Sequence, residues 1–184
     1  MMNLKELLLA DLERQDFYAN TPDTPKTLGR VVFKAFSPRF APVVLYRLSH
    51  FFWQKKLSPI AKLFSLFNFW FFGLEIAIRS EIGGGLYLPH TVGTVLSAEK
   101  IGNNCVIFGQ VVLGAKEVDF AFTESLRPIL GNDVMIGTGA KVLGGIQIGN
   151  RVKIGANAVV IRDVPDDSIA VGVPAIHKPL EAKQ

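Results

Sequence analysis

From Leu130 to Val160 the aliphatic positions recur every six residues, as Leu130, Ile136, Val142, Ile148, Ile154 and Val160. Gly follows four of them, as Gly131, Gly137, Gly149 and Gly155, and the fifth place of each hexad is small or aliphatic: Val134, Ala140, Ile146, Val152 and Ala158. A helix spaces apolar residues by three and four, and a half-buried strand by two. A period of six fits neither. It fits a solenoid of very short strands, each hexad forming one flat side with its aliphatic residue pointing inward. Three sides close one triangular coil, and stacked coils pair their backbones about 4.8 Å apart. Upstream, Val95, Ile101, Ile107 and Leu113 keep the period, as do Ile76, Ile82 and Leu88, with a one-residue slip between the sets at Thr91 to Thr94. The phase is lost between Leu113 and Leu130, which predicts an extruded loop over 115–127. About five coils are expected over 75–160.

The first part of the chain follows a different pattern. Leu4, Leu7, Leu8 and Leu12 fall on one face of a helix predicted over 3–18, which the TPDTP run at Thr21 to Pro25 ends. Pro42 and Pro59 are suitable first-turn residues and predict helices near 42–56 and 59–72. The expected organisation is a helical region over 1–74, a solenoid over 75–165 and a tail over 166–184. The longest uncharged run of the helical region, Leu63 to Leu74, is twelve residues, too short for a bilayer span.

Charge sharpens that division. Residues 1–74 hold ten basic and five acidic side chains, net +5, whereas 75–184 hold ten and eleven, net −1. From Thr24 to Leu74 there are eight basic residues, no acid, and thirteen of the nineteen aromatics. No nucleic-acid-binding motif accompanies this basic span, so nucleic acid is not an expected partner. Two readings of the span stay open. Its aromatic faces cap the first coil, or they touch the inner membrane peripherally, with Trp53 and Trp70 at headgroup level and Arg47, Lys55, Lys56 and Lys62 on anionic lipid. The lone cysteine, Cys105, occupies a fifth hexad place and reads as a small buried hydrophobe. A single Cys excludes an internal disulfide, and MMNLKELLLADLERQ carries acids where a secretory signal needs an apolar core; both lead to an expected cytoplasmic location.

Three histidines exist, His50, His90 and His177, and only His90 lies inside the repeat, after Leu88 and Pro89. An outward imidazole at a coil corner suits proton transfer near neutral pH. The stretch GLEIAIRSEIGGGLYLPHTVGTVLSAEKIGNNCVIFGQVVLG at 73–114 resembles the catalytic coils of the serine acetyltransferases. The stretch from 130 ending in DVPDDSIAVGVPA resembles the final coils of the wider hexapeptide-repeat acyltransferases. The resemblance implies a left-handed parallel β-helix, mainly β with an N-terminal α-helical region, assembled as a homotrimer. It implies that acetyl-CoA is the co-substrate and no metal takes part. It makes His90 the base that takes the acceptor's proton and Glu75, fifteen residues earlier, the acid that orients it.

Along the same lines, acetyl-CoA is expected in a groove between neighbouring subunits, touching Thr138, Ala156, Arg162 and, through a shifted basic contact, Lys178. Phe120, Phe122 and Arg127 of the loop are candidate acceptor contacts, for stacking on and hydrogen bonding to a sugar; packing on a neighbouring subunit is the other reading. The chain departs from the family at two places. Pro89 stands where serine acetyltransferases have an Asp, and Arg127 where they have a second His. An ammonium group needs a carboxylate partner, so these departures point to a sugar hydroxyl, free or lipid-linked, as in exopolysaccharide, capsule or lipopolysaccharide biosynthesis. Serine O-acetylation, N-acetylation of an amino sugar nucleotide, and a purely structural solenoid are the alternatives. The zinc chemistry of the γ-class carbonic anhydrases, which share the solenoid, needs three His ligands, and the repeat supplies one.

Overall fold

The computed structural model describes residues 2–180. Its solenoid is built mostly of strands two or three residues long. The first coil comprises β1 (Leu74–Ile76), β2 (Glu81–Ile82) and a bridge at Tyr87; the second β3 (Thr94–Leu96), β4 (Lys100–Ile101) and β5 (Val106–Ile107). The third comprises β6 (Val112–Gly114), β7 (Ile129–Leu130) and β8 (Met135–Ile136); the fourth β9 (Lys141–Leu143), β10 (Gln147–Ile148) and β11 (Lys153–Ile154). The fifth has β12 (Val159–Val160), a bridge at Val164 and β13 (Ser168–Gly172), after which β14 (Ala175–Pro179) turns back antiparallel on β13. The coils stack in parallel into three sheets: β1-β3-β6-β9-β12 on the first side, β2-β4-β7-β10 on the second, and β5-β8-β11-β13, edged by β14, on the third.

Each inward aliphatic side chain sits directly on its counterpart one coil away. Leu130 pairs with Ile148, Ile136 with Ile154 and Val142 with Val160, and all six are buried. The fifth-place residues Val134, Ala140, Ile146, Val152 and Ala158 fill the corners of the same core. Glycine is required at the second corner, where Gly102 follows Ile101: a Cβ there would lie 2.4 Å from the Gly131 carbonyl oxygen. Beside this column runs a ladder of amides, with the backbone N–H of Asn103, Asn132 and Asn150 donating to the side-chain oxygens of Asn132, Asn150 and Asp166 at 2.8–2.9 Å. Each side chain thereby satisfies a corner N–H that no strand can reach.

The register corrects the expected phase at one point. Val95 does not face inward; Leu96 does, between Ile76 and Leu113, while Val95 sits on the outer surface opposite Glu75. The corner at 89–93, with Pro89 and a turn at Gly93 (φ +73°), holds two extra residues, and the next side gives one back. The one-residue slip is the net of these two changes. The expected tail is also partly solenoid, because β13 pairs with β11 as the third side of the fifth coil. Val164 and Ala170 supply its buried positions out of phase with the hexads, which hid it.

Four helices precede the coils: α1 (Leu4–Tyr18), α2 (Leu28–Lys34), α3 (Ala41–Gln54) and α4 (Ser58–Phe72). Asn3 and Glu6 form a reciprocal capping box at the start of α1, and Leu8 and Leu12 pack with Val31 and Phe40. The short α2, capped by Thr27, was not anticipated, since seven residues give no readable apolar period. Helix α3 lies over the open edge of the first coil. Tyr46 donates to the Ser80 carbonyl at 2.7 Å, His50 to Ile78 at 2.8 Å, and Arg47 to Ile82 and Gly83 at 2.6 Å each. Arg47 is held in turn by Asp11 of α1, at 2.8 and 3.0 Å, and Asp11 also accepts from the Leu86 N–H at 2.9 Å. The helical region therefore closes an edge whose carbonyls would otherwise invite another strand.

Cys105 is fully buried, and burial pushes its thiol up to about 12. We expect the folded chain to resist thiol reagents at pH 8 and to react once in strong denaturant, as followed by mass shift.

Candidate active site

A coil that closes on itself brings its end beside its start, and this puts Glu75 and His90 on the first coil near the same corner. Glu75 points outward from β1 and is exposed. His90 is exposed at the third corner, between the buried Leu88 and the buried Thr91. That corner is fixed to the junction of α4 and β1: the Thr91 hydroxyl donates to the Phe72 carbonyl at 2.9 Å, and the Gly93 N–H donates to Gly73 at 2.9 Å. Among the described residues, no hydrogen bond joins Glu75 to His90 in the single chain.

Beneath His90 the third corners of successive coils form a track. A Cβ on Gly109 would lie 3.1 Å from the His90 Cβ, so the imidazole-bearing corner packs closely on a glycine one coil below. The Gly139 N–H donates to Gly109 at 3.0 Å and the Asn157 N–H to Thr138 at 2.9 Å. Thr138 and Ala156 are exposed along this line. Lys141, which the sequence pattern did not single out, reaches from the first side to cap the carbonyls of Gln110 (2.8 Å) and Gly139 (2.7 Å). It adds a positive charge to a run of backbone and small side chains.

The remaining expected site residues lie elsewhere. Arg162 and the loop leave from the first corner, at the other edge of the first side; Lys116 of the loop reaches the Ile161 carbonyl at 3.5 Å. Lys178 is on β14, opposite Ile169. A hollow of about 170 Å³ at this end is lined by Val160, Arg162, Asp163, Ala175, Ile176 and His177 among others. Within one chain, then, His90, Thr138 and Ala156 share a corner, whereas Arg162 and the loop do not.

Arg127 is not presented to a ligand. It is 6% exposed, pairs with the Asp119 carboxylate at 2.9 Å, and bonds the Asp119 carbonyl and Ser97. Phe122 covers its guanidinium at 4.2 Å, and Phe120 is fully exposed at the loop surface. The Thr123 N–H, and after it Arg127, hold the Asp119 carboxyl below the usual carboxylate range. Arg127 and Phe122 are the loop's internal clasp. Among the described residues, no group of three or more His, Cys, Asp or Glu side chains gathers as metal ligands would.

Short parallel strands in triangular coils, with an exposed His on a corner track, define a hexapeptide-repeat solenoid. Residues 127–162 match the bacterial transferase hexapeptide (six repeats) family. The chain is 40% identical over 139 residues to a serine acetyltransferase of Helicobacter pylori, covering 75% of this chain and 80% of that one. It is 39% identical over 138 residues to that of Synechococcus elongatus, covering 74% of this chain but only 55% of the longer relative. The solved Neisseria gonorrhoeae serine acetyltransferase superposes with a TM-score of 0.83 at 29% identity, covering 98% of this chain and 68% of that one. A serine acetyltransferase in complex with CoA superposes at 0.79 with 27% identity, covering 95% and 69%. The chain belongs to the serine acetyltransferase family.

This overturns the expected sugar acceptor, and with it a place in exopolysaccharide, capsule or lipopolysaccharide biosynthesis. The expectation rested on Pro89 and Arg127, and neither carries that weight. Arg127 is turned inward to hold the loop, so its identity says nothing about an open acceptor pocket. Pro89 shapes the enlarged corner, and an ammonium group can be met by a carboxylate from any element facing the site.

Proposed function

We propose that the protein transfers the acetyl group of acetyl-CoA to the hydroxyl of serine, with His90 as general base. The observation that carries this reading is the 40% identity to the Helicobacter pylori serine acetyltransferase over four-fifths of that enzyme. The exposed His90 above the Gly109 track supplies the chemistry. A serine hydroxyl holds its proton too tightly to attack a thioester unaided. His90 accepts that proton as the oxygen attacks the acetyl carbonyl. The tetrahedral intermediate then collapses, the C–S bond breaks, and the leaving thiolate takes the proton back from the imidazolium. Glu75, on the same coil, steadies the imidazolium and its tautomer, as an acid does for a catalytic His in a triad. Thr138 and Ala156 admit the pantetheine arm close to the backbone, and Arg162 and Lys178 face the nucleotide phosphates.

The working unit in this reading is a cyclic homotrimer. Arg162 and the loop sit at the opposite edge of the first side from His90, so one ligand meets both groups most directly between two copies. A contact in which one edge of a copy meets the opposite edge of the next is heterologous, and such contacts close into rings. Light scattering is expected to give three times the chain mass in the active protein; a fully active monomer would contradict it. The reaction itself is tested by CoA release from acetyl-CoA with L-serine as the varied acceptor. Saturable release is expected, and release that is independent of serine would reject the reading.

A further inference from the structure

Helix α4 is packed with its polarity reversed. Its two buried residues, Ala61 and Asn68, face α3, where the Asn68 amide donates to the Pro42 carbonyl at 2.9 Å and Ser49 donates to the Ala61 carbonyl at 2.8 Å. Its large apolar side chains point away from the molecule: Ile60, Leu63, Leu66, Phe69, Trp70 and Phe71 are each 37–72% exposed. A helix on a water-facing surface turns its apolar stripe to the core. A contiguous apolar face turned outward marks a surface that meets something apolar.

Charge selects what that is. The sole ionisable residue on α4 is Lys62, Lys55 and Lys56 precede the helix, and 24–74 holds no acid. A two-fold contact of this face with its own copy would bring lysines toward lysines with no carboxylate in the span to offset them. An anionic bilayer meets both features, taking the aromatic rings at headgroup depth and the lysines at its surface. At 15 residues, α4 lies on such a surface, and no helix among the described residues is long and apolar enough to cross it. We propose that the outer face of α4 is a docking surface for anionic membrane, holding the first-coil end of the solenoid against the lipid. In a cyclic trimer all three first-coil ends face one way, so three such helices would meet one plane. The proposal does not depend on which acceptor is acetylated.

The test is flotation of the full chain with vesicles of phosphatidylcholine alone or mixed with phosphatidylglycerol, at low and high salt. The chain is expected to rise with the mixed vesicles at low salt and to bind at least tenfold less to neutral ones. Lys55→Glu/Lys56→Glu/Lys62→Glu and, separately, Leu63→Ser/Trp70→Ser/Phe71→Ser are each expected to lose at least tenfold in binding. All six positions are exposed, and circular dichroism checks that the fold is kept. A chain that stays at the bottom with every vesicle, or floats equally with neutral lipid, overturns the proposal. So does a serine triple variant whose assembly mass falls while the parent never binds vesicles, since a second copy would then occupy the face.

Discussion

His90→Ala is expected to lower the turnover of serine acetylation by about 10²–10⁴-fold, the usual worth of a positioned base. The imidazole is exposed and fills no core space, so the thermal transition should hardly move. Binding of acetyl-CoA, measured by calorimetry, should also stay near the parent value, because the groups assigned to it lie on lower coils. Near-parental turnover in His90→Ala would remove the direct-base mechanism. Glu75→Gln is expected to be milder, since it steadies the base and transfers nothing itself.

The largest effect on stability is expected at Arg47. This guanidinium is 2% exposed and joins α1 through Asp11 to the Ile82 and Gly83 carbonyls of the first coil. Arg47→Ala leaves a fully buried Asp11 carboxylate without its cation and two carbonyls without donors. Breaking one partner of a buried pair typically costs about 3–5 kcal/mol. The urea midpoint should drop accordingly, with loss beginning at the helical cap. Arg47→Met combined with Asp11→Asn should recover part of that loss, because no unpaired buried charge remains. A midpoint unchanged in Arg47→Ala would show that the cap and the solenoid are not coupled through this pair.

Why the solenoid was readable and the pair that anchors its cap was not follows from how each is encoded. A coil's inward positions repeat along the chain, so Leu130 to Val160 announce both the fold and the stacking. The Asp11–Arg47 pair is 36 residues apart and joins elements that share no period. Local pattern also failed where a corner changed length: Val95 looked inward because it kept the hexad count, while the enlarged corner after Pro89 moved Leu96 into its place. At the site, His90 stood out as the lone His within the repeat, and the Thr91 hydroxyl and the Gly93 N–H tie its corner to the junction of α4 and β1. Lys141 stayed hidden because a lysine on an outward position reads as an ordinary solvated charge. Arg127 misled for the converse reason, since its burial and its clasp on Asp119 are set by the folding of the loop.

The central claim is that serine is the acetyl acceptor, and product identity tests it most directly. The protein is incubated with acetyl-CoA carrying a 13C label in the acetyl group and with L-serine, and the mixture is followed by carbon NMR. The account predicts that the labelled carbonyl moves from the thioester to an O-acetyl ester of serine, at a rate proportional to enzyme and abolished with His90→Ala. Label that stays on CoA with serine, while moving readily to another hydroxyl acceptor, would contradict it.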